Sequence, residues 1–266
     1  MKDRLSIAVR NGIADVRLDR PDKRNAIDAA MFEAIAGAGA HLRGLRGLRA
    51  AVLSGNGAAF CAGLDLKNFG QMAAGDDSMV RTLKVRTHGD ANLVQHIVHL
   101  WRELPVPVIA AVHGVAFGGG FQLSLGADIR IVAPEARMSI MEIKWGLIPD
   151  MGGVSLMRAL ARDDVIRELT YSGRQFDGKE AVSLGFATRT AADPRAEALA
   201  LAAEIAARSP DAIRAAKRLY NRAADATQAE LLLSESVEQQ ALIGGRNQIE
   251  AVTANLEKRA PVFFDD

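Results

Sequence analysis

One stretch of the sequence, residues 105–126, constrains the fold more than any other, because it joins a buried strand to a glycine-rich turn and a helix. Residues 106–112 are almost wholly apolar and largely β-branched, which is typical of a strand buried on both faces. Four glycines follow, at 114, 118, 119 and 120, and residues 121–125 predict the first turn of a helix. Backbone N–H groups at such a turn can bind an anion, or an oxygen that becomes negative during a reaction.

The same glycines are also compatible with nothing more than a tight turn. A dinucleotide site is disfavoured, because the glycines do not follow the G-x-G-x-x-G spacing and no second strand ends in an acidic residue at the expected distance. The sequence also contains no Gly-Lys-Ser/Thr phosphate loop and no G-x-S-x-G nucleophile elbow.

Composition narrows the class of protein. The 266 residues are enough for one large domain, or a domain with an appendage, with a substantial core. Charged residues make up 24% and balance to +1, so nucleic acid is not an expected partner. The single cysteine, Cys61, excludes an internal disulfide framework and fits a reducing compartment. With no signal-type N-terminus and no bilayer-length apolar run, we expect a cytoplasmic protein without a membrane partner.

The first quarter of the chain predicts strands and a helix that support a second loop. Residues 5–9 and 13–18 alternate around Asn11-Gly12, which indicates a hairpin. Asp28 is placed to cap a helix that ends near Gly44. A buried strand at 49–54 leads into a glycine-containing loop at 55–67 that resembles the later one, so each loop can aim one backbone N–H at a common point.

A helix is predicted from about His88 to Arg102 and is expected to cover the site. Residues 68–100 are expected to shape the substrate pocket, but they contain no motif that identifies its shape. His88, His96 and His99 on this helix are interpreted as solvated side chains and not metal ligands, because no H-E-x-x-H pattern accompanies them. Further elements are predicted by shorter patterns: strands at 128–133, 137–141 and 186–189, and helices at 155–161, 165–172 and 179–184.

The amino-acid composition changes after Asp193-Pro194. This change divides the chain into a core, 1–194, and a helical region, 195–266. Three or four helices are predicted in the second part, with boundaries at Ser209-Pro210, at the capping box of Thr227 with Glu230, and at Gly244-Gly245. This region carries no catalytic constellation, and small-residue helices commonly pack on a parent domain or a neighbouring subunit. We therefore expect it to serve oligomerisation and closure.

Four segments in order give the chain a resemblance to the crotonase, or enoyl-CoA hydratase/isomerase, superfamily. They are Arg20-Pro21 with Asn25-Ala26, residues 60–66, residues 110–114 leading to 118–120, and residues 146–149 with Gly152-Gly153. The resemblance runs essentially the whole length. It implies an α/β fold, a crotonase-type spiral of β-β-α turns with a C-terminal α-helical region, assembled as a homotrimer or a dimer of trimers. It also implies an acyl-CoA thioester as substrate, with no cofactor and no metal.

The resemblance also implies the roles of particular residues. The backbone N–H groups of Leu64 and Gly119 are expected to form an oxyanion hole for the thioester carbonyl. The residues expected to contact CoA are Lys23, Arg24, Ala26, Ala62, Asp65, Leu66, Lys67, Lys258 and Phe263. For each cation, ordinary solvated surface is an equally open interpretation.

The catalytic positions depart from the hydratases that the chain resembles, which use two glutamates to activate water. This chain has Gln122 at the first position and Glu142 at the second, and an amide cannot accept a proton at neutral pH. Eight residues after Glu142 stands Asp150, as in the dienoyl-CoA isomerases, where a glutamate and an aspartate at this separation shuttle a proton.

The leading hypothesis is therefore double-bond isomerisation by Glu142 and Asp150. Hydration by Glu142, with Gln122 orienting the water, is the alternative, and a catalytically poor acyl-CoA-binding protein is a third. A salt bridge from Glu142 to Lys144 and a helix cap by Asp150 are the structural alternatives for the two carboxylates. A nucleophilic Asp150, as in the aryl-CoA dehalogenases that the family includes, is disfavoured because the resemblance implies a tryptophan in that branch where this chain has Glu142.

Overall fold

The structure is a computed structural model that describes residues 4–74 and 83–265. Its strands are Leu5–Arg10 (β1), Ile13–Leu18 (β2), Ala50–Gly55 (β3), Val108–Val112 (β4), Val115–Phe117 (β5), Ile129–Val132 (β6), Arg137–Ser139 (β7) and Arg189–Thr190 (β8). Its α-helices are Ala29–Arg43 (α1), Leu66–Ala73 (α2), Leu93–Glu103 (α3), Gly119–Leu125 (α4), Gly153–Arg158 (α5), Asp163–Ser172 (α6), Gly178–Leu184 (α7), Pro194–Ala206 (α8), Pro210–Arg222 (α9), Gln228–Leu242 (α10) and Arg246–Leu256 (α11). Two short 3-10 helices lie at Pro21–Lys23 and Glu142–Trp145.

The strands form a mainly parallel sheet in the order β1-β2-β3-β4-β6-β8, in which only the β1–β2 pair is antiparallel. A second sheet of β5 and β7 follows the glycine turns. This arrangement agrees with the predicted α/β class. Because parallel strands end at the same edge, the loops after β2, β3 and β4 lie side by side, which is where a site in an open α/β sheet is expected.

Both faces of the main sheet are covered. One face packs Val52, Ile109 and Ile131 against Ala198 and Ala202 of α8, and the other face belongs to a larger core that includes the side chains of α1, α3 and α4. The first helix of the predicted C-terminal region therefore completes the core of the sheet.

Several predicted boundaries are confirmed by capping geometry. Asp28 accepts a hydrogen bond from the Met31 N–H at the start of α1, and Ser209 caps α9. Thr227 and Glu230 form the predicted capping box of α10. The helix containing His96 and His99 begins later than predicted, however. Asn92 caps it through a capping box, so His88 lies before the helix.

Two other predictions were displaced. The strand predicted at 186–189 is instead the two-residue β8, because the N–H groups of Phe186 and Ala187 both bond back to the Ala181 carbonyl at the end of α7. The helix predicted at 155–161 spans Gly153–Arg158. Among the described helices, none has the length and hydropathy needed to cross a bilayer.

Candidate active site

A cavity of about 750 Å³ opens at the carboxyl ends of β2, β3 and β4. It brings together ten of the residues predicted from the sequence to form the site. They are Lys23, Arg24, Ala26, Ala62, Leu64, Asp65, Leu66, Gly119, Glu142 and Asp150. Residues from four separate loops thus converge on one space, as the oxyanion-hole hypothesis requires.

The two glycine-containing loops are joined by backbone hydrogen bonds. The Cys61 N–H donates to the Val115 carbonyl, and the Phe117 N–H donates to the Cys61 carbonyl. Gly63, at φ +89°, lies so close to the second loop that a Cβ would stand 2.5 Å from the Phe117 oxygen and 3.6 Å from the Gly119 nitrogen. Only glycine allows both this conformation and this approach. The loops therefore present Leu64 and Gly119 as neighbours.

The amides of Leu64 and Gly119 have hydrogen-bonding capacity to spare. The residues beside Leu64 are engaged, since the Gly63 carbonyl accepts from Ile27 and the Asp65 N–H donates to Ile27. Within residues 4–74 and 83–265, neither the Leu64 N–H nor the Gly119 N–H finds an acceptor. Gly119 is also the first residue of α4, where an N–H has no intrahelical partner. Two unused donors on one cavity wall can bind a single oxygen.

Glu142 begins the 3-10 helix Glu142–Trp145, and its carboxylate lies beside Gly118, where a Cβ would stand 3.3 Å from Glu142 Oε1. Its Oε1 accepts a 2.6 Å hydrogen bond from Gln122 Nε2, whereas its buried Oε2 has no partner within the described residues. Burial raises the pKa of Glu142, and the nearby negative charge of Asp150 raises it further. The predicted alternative of a Glu142–Lys144 salt bridge is wrong, because Lys144 instead places its Nζ over the Trp145 ring, 5.6 Å from the centroid.

Asp150 lines the same cavity. It keeps access to solvent through the cavity mouth, but the surrounding atoms remove part of its hydration, and this burial raises the pKa of its carboxyl. The alternative that Asp150 caps the following helix is wrong. Gly152 occupies the N-cap position of α5, with no side-chain cap bond. Burial thus favours the protonated form of both carboxyls relative to an exposed carboxyl group.

Gln122 lies behind the cavity wall, 1% exposed, and does not line the cavity. Its Oε1 accepts hydrogen bonds of 3.0 Å from the N–H groups of both Met151 and Gly153. The carbonyl oxygen is therefore occupied by the loop that follows Asp150, and only one amide hydrogen of Nε2 remains beyond the bond to Glu142. Through these hydrogen bonds Gln122 connects the segment that carries Glu142 to the loop that carries Asp150.

The predicted CoA contacts divide into two groups. Lys23 and Arg24 border the cavity beside Ala26, and Lys67 follows Leu66 just outside the lining. Phe263 lies elsewhere in this chain, because its carbonyl accepts from Arg49, which precedes β3 at the opposite edge of the sheet.

Lys258 is likewise absent from the cavity lining and follows α11, where its neighbour Arg259 pairs with Glu250. Neither Lys258 nor Phe263 can close the site of its own chain from these positions. Their contact with CoA stays a prediction that requires a second copy.

Sequence reasoning missed the residue that holds the first loop together. Asn25, fully buried at φ +56°, donates through Nδ2 to the carbonyls of Asn56, Ala59 and Phe60, and its Oδ1 accepts from Arg20 N–H. The Asn25 carbonyl in turn accepts from Cys61 Sγ, and burial raises the pKa of that thiol to about 12. Cys61 is therefore not a nucleophile at neutral pH.

Most of the apolar part of the cavity wall was also missed. Leu66 was among the predicted CoA contacts, whereas Leu83, Phe117, Met141, Trp145, Leu147 and Ile148 were not among the predicted site residues. Leu66 is 68% exposed and Ile148 is 72% exposed, which is unusual for large aliphatic side chains unless a ligand or partner covers them. Residues 143–148 follow Glu142 directly in the sequence. This proximity is the sequence signal that identifies part of the wall.

Comparison with known proteins agrees with the geometry. The fold, with its cavity at the carboxyl ends of the parallel strands, is that of a crotonase-type α/β protein. The profile described as "Enoyl-CoA hydratase/isomerase" matches residues 8–266, and the chain belongs to that family, which acts on acyl-CoA thioesters. The resemblance found in the sequence is therefore confirmed.

Individual relatives are similar over most of their length. The chain is 32% identical over 265 residues to the bovine (Bos taurus) mitochondrial enoyl-CoA hydratase domain-containing protein 2, covering 96% of this chain and 85% of the relative. It is 34% identical over 223 residues to the carnitinyl-CoA dehydratase of Proteus mirabilis (strain HI4320), covering 83% and 81%. The crystal structure of a putative enoyl-CoA hydratase/isomerase from Mycobacterium abscessus superposes with a TM-score of 0.90 at 27% identity, covering 98% of this chain and 100% of that one. The predicted fold class is thereby confirmed.

Proposed function

We propose that this protein moves a double bond in an enoyl-CoA or dienoyl-CoA by shuttling a proton through an enolate. The observation that carries the proposal is the placement of two carboxyl groups with raised pKa values, Glu142 and Asp150, on the cavity that two unused backbone amides also line. A hydratase of the two-glutamate kind would need a second carboxylate at position 122, where this chain has an amide.

In the proposed reaction the thioester oxygen accepts hydrogen bonds from the N–H groups of Leu64 and Gly119. Removing a proton from the carbon beside the thioester places negative charge on that oxygen. Removing a single preorganised donor from such a site raises the activation barrier by about 3 to 4 kcal/mol. The amides thus supply the charge stabilisation and leave proton transfer to side chains.

One ionised carboxylate, of Glu142 or Asp150, takes the proton from the carbon next to the thioester. The electron pair moves into the enolate or dienolate, and the other carboxyl, which starts protonated, gives its proton to the distal carbon. The two carboxyls exchange protonation states, so no proton is gained or lost overall. Mutual repulsion favours one proton shared between them.

Hydration is the second candidate, because relatives are named hydratase and dehydratase. In that reaction Glu142 activates the water, and only the remaining Nε2 hydrogen of Gln122 can orient it, since the Oε1 is bonded to the backbone. An acyl-CoA-binding protein with little catalytic activity is the third candidate.

The same proposal places CoA at the cavity mouth, where Lys23 and Arg24 are suited to its phosphates. The proposed reaction needs no metal and no cofactor beyond the CoA of the substrate.

A homotrimer or dimer of trimers would cover the exposed Leu232, Leu233 and Val237 on α10 and bring Lys258 and Phe263 near a neighbouring cavity. A cytoplasmic location also stays a prediction.

Turnover of 2-enoyl-, 3-enoyl- and 3,5-dienoyl-CoA by the purified chain tests the proposal, with products separated by chromatography and mass spectrometry. We expect isomerisation of a 3-enoyl or dienoyl substrate. Loss of either proton-transfer group, in Glu142→Gln or Asp150→Asn, should lower kcat by about 100-fold or more while thioester binding persists. Asp164→Asn, at an exposed pair with Arg162, is the control and should keep full activity.

Three outcomes would count against the proposal. Full isomerase activity in Asp150→Asn would rule out the paired carboxylates, and water addition to 2-enoyl-CoA as the only reaction would establish the hydratase alternative. CoA-thioester binding without turnover of any of the three substrates would favour the binding protein.

A further inference from the structure

The loop Asp150–Gly153 separates the active-site cavity from a second cavity of about 900 Å³. Asp150 faces the first cavity, whereas Gly152 lines the second together with His96 and His99 of α3. The position of this loop therefore determines where one of the two carboxyls stands relative to the other.

The loop is held from both sides at consecutive glycines. A Cβ on Gly152, which has φ +81°, would collide with His99 Nε2 and stand 2.7 Å from His99 Cδ2. A Cβ on Gly153 would stand 2.5 Å from Gln122 Oε1, which binds the N–H groups of Met151 and Gly153. The imidazole thus packs on the outer side of the loop and the carboxamide bonds its inner side.

Both supporting side chains come from helices that pack directly on each other. α3 is anchored by buried Ile97, Val98, Leu100 and Trp101. The Val98 carbonyl packs against Gly126, the residue that ends α4, so closely that no Cβ would fit there. Since α4 carries Gln122 and begins with Gly119, the two supports and one of the unused amides belong to one packed unit.

We propose that His99 is a positioning residue for the reaction: its ring presses the Asp150–Gly153 loop against Gln122 and thereby sets the distance between Asp150 and Glu142. The inference rests on the proposed function for its catalytic consequence, but the contact itself does not. His99 touches neither the active-site cavity nor the expected position of the substrate.

The chemistry of the site suits a neutral packing ring. Burial lowers the pKa of His99, Arg102 lowers it further, and Glu103 acts in the opposite direction. Metal binding is not indicated: His96 stacks on His88 with ring centroids 4.1 Å apart, and the described residues contain no group of three or more potential ligands suited to an ion.

The matched control is His96, which lies one turn earlier on α3 and lines the same second cavity, whereas the atoms nearest to a Cβ on Gly152 all belong to His99. We would compare His99→Ala, His99→Phe and His96→Ala by kcat and KM on the preferred substrate. We would also compare them by hydrogen exchange of the Met151 and Gly153 amides, which requires no turnover. His99→Gln, which is polar and nearly as long, serves if the alanine variant does not fold.

For His99→Ala we expect kcat to fall about tenfold or more with KM nearly unchanged, because a carboxylate displaced by about 1 Å loses that much while the CoA contacts stay intact. The Met151 and Gly153 amides should exchange about tenfold faster. A ring of similar size in His99→Phe should restore most of both effects, and His96→Ala should match the wild type in both.

Wild-type kcat and exchange in both His99→Ala and His99→Gln would overturn the inference, and so would an equal loss in His96→Ala. If the wild type turns over no enoyl-CoA, the proposed function fails, and the exchange measurement alone then decides whether His99 positions the loop.

Discussion

Replacing Gln122 with glutamate would place a second carboxylate against Glu142. In the wild type, Gln122 Nε2 donates to Glu142 Oε1 at 2.6 Å, so one carboxylate oxygen of the variant must face another carboxylate oxygen at that distance. The second new oxygen can still accept from Met151 and Gly153, as Gln122 Oε1 does. The contact with Glu142 is the one that changes, from an attractive hydrogen bond to a repulsion between two carboxylates.

The size of the repulsion between the two carboxylates follows from the distance between their charges. Charge centres about 4 Å apart repel by about 4 kcal/mol at an effective dielectric constant of about 20. That repulsion raises the pKa of one carboxyl of the pair well above the ordinary glutamate range. One proton is therefore shared by the pair in the folded variant and absent in the unfolded chain at neutral pH.

The sign of the stability effect follows from proton linkage. A carboxyl whose folded pKa is raised loses no stability below its unfolded pKa, and stability then falls as the pH rises toward the folded pKa. The slope is about 1.4 kcal/mol per pH unit. Gln122→Glu should therefore cost up to about 2.8 kcal/mol more at about pH 7 than at about pH 5, relative to the wild type.

Urea unfolding of both proteins at several pH values between those limits provides the measurement. Gln95→Glu is the matched control, because Gln95 Oε1 accepts from Arg86 and from the Asn92 N–H and meets no carboxylate there. A pH-independent difference between Gln122→Glu and the wild type would refute the assigned contact between positions 122 and 142.

Three further predictions follow from the same contacts. Because burial raises the pKa of both Glu142 and Asp150, the acidic limb of the pH–rate profile should lie above the ordinary carboxyl range, and it should disappear or shift in Asp150→Asn. Asn25→Ala removes four hydrogen bonds at a positive-φ position and should lower the free energy of unfolding by about 3 kcal/mol in urea titrations. Lys217→Met strips the Asp128 carboxylate of its buried ammonium partner and should lower the unfolding temperature, at a cost of about 3 kcal/mol or more.

Elements defined by local chemistry could be predicted from the sequence. The Asn11-Gly12 hairpin, the Asp28 cap and the Thr227–Glu230 capping box are confirmed because each depends on a few adjacent residues. The strand Val108–Val112 was predicted, as residues 106–112, because an apolar and largely β-branched run is typical of a strand buried between two layers.

Elements that depend on distant partners were missed or displaced. Residues 115–117 were predicted as part of the glycine-rich turn, but they form a three-residue strand because they pair with 137–139, which lie within the strand predicted at 137–141. Phe186 was assigned to a strand because it is apolar, whereas the structure buries it in the core and uses its N–H to close α7.

The candidate site shows the same division. The glycine loops predicted the neighbouring amides, since glycine at those positions has a steric reason that can be recognised in the sequence. The structural roles of Asn25, Gln122 and His99 could not be predicted, because each role depends on which backbone groups the folded chain brings close to the side chain. Lys258 and Phe263 were placed by resemblance alone, and in this chain they lie away from the cavity.

The most direct test of the central claim is a crystal structure of the protein with a saturated acyl-CoA. We predict that the thioester oxygen lies within about 3.2 Å of the backbone nitrogens of both Leu64 and Gly119, with the acyl chain between the carboxyls of Glu142 and Asp150. A thioester oxygen bound to neither amide, or an acyl chain that passes outside the space between the two carboxyls, would contradict the account.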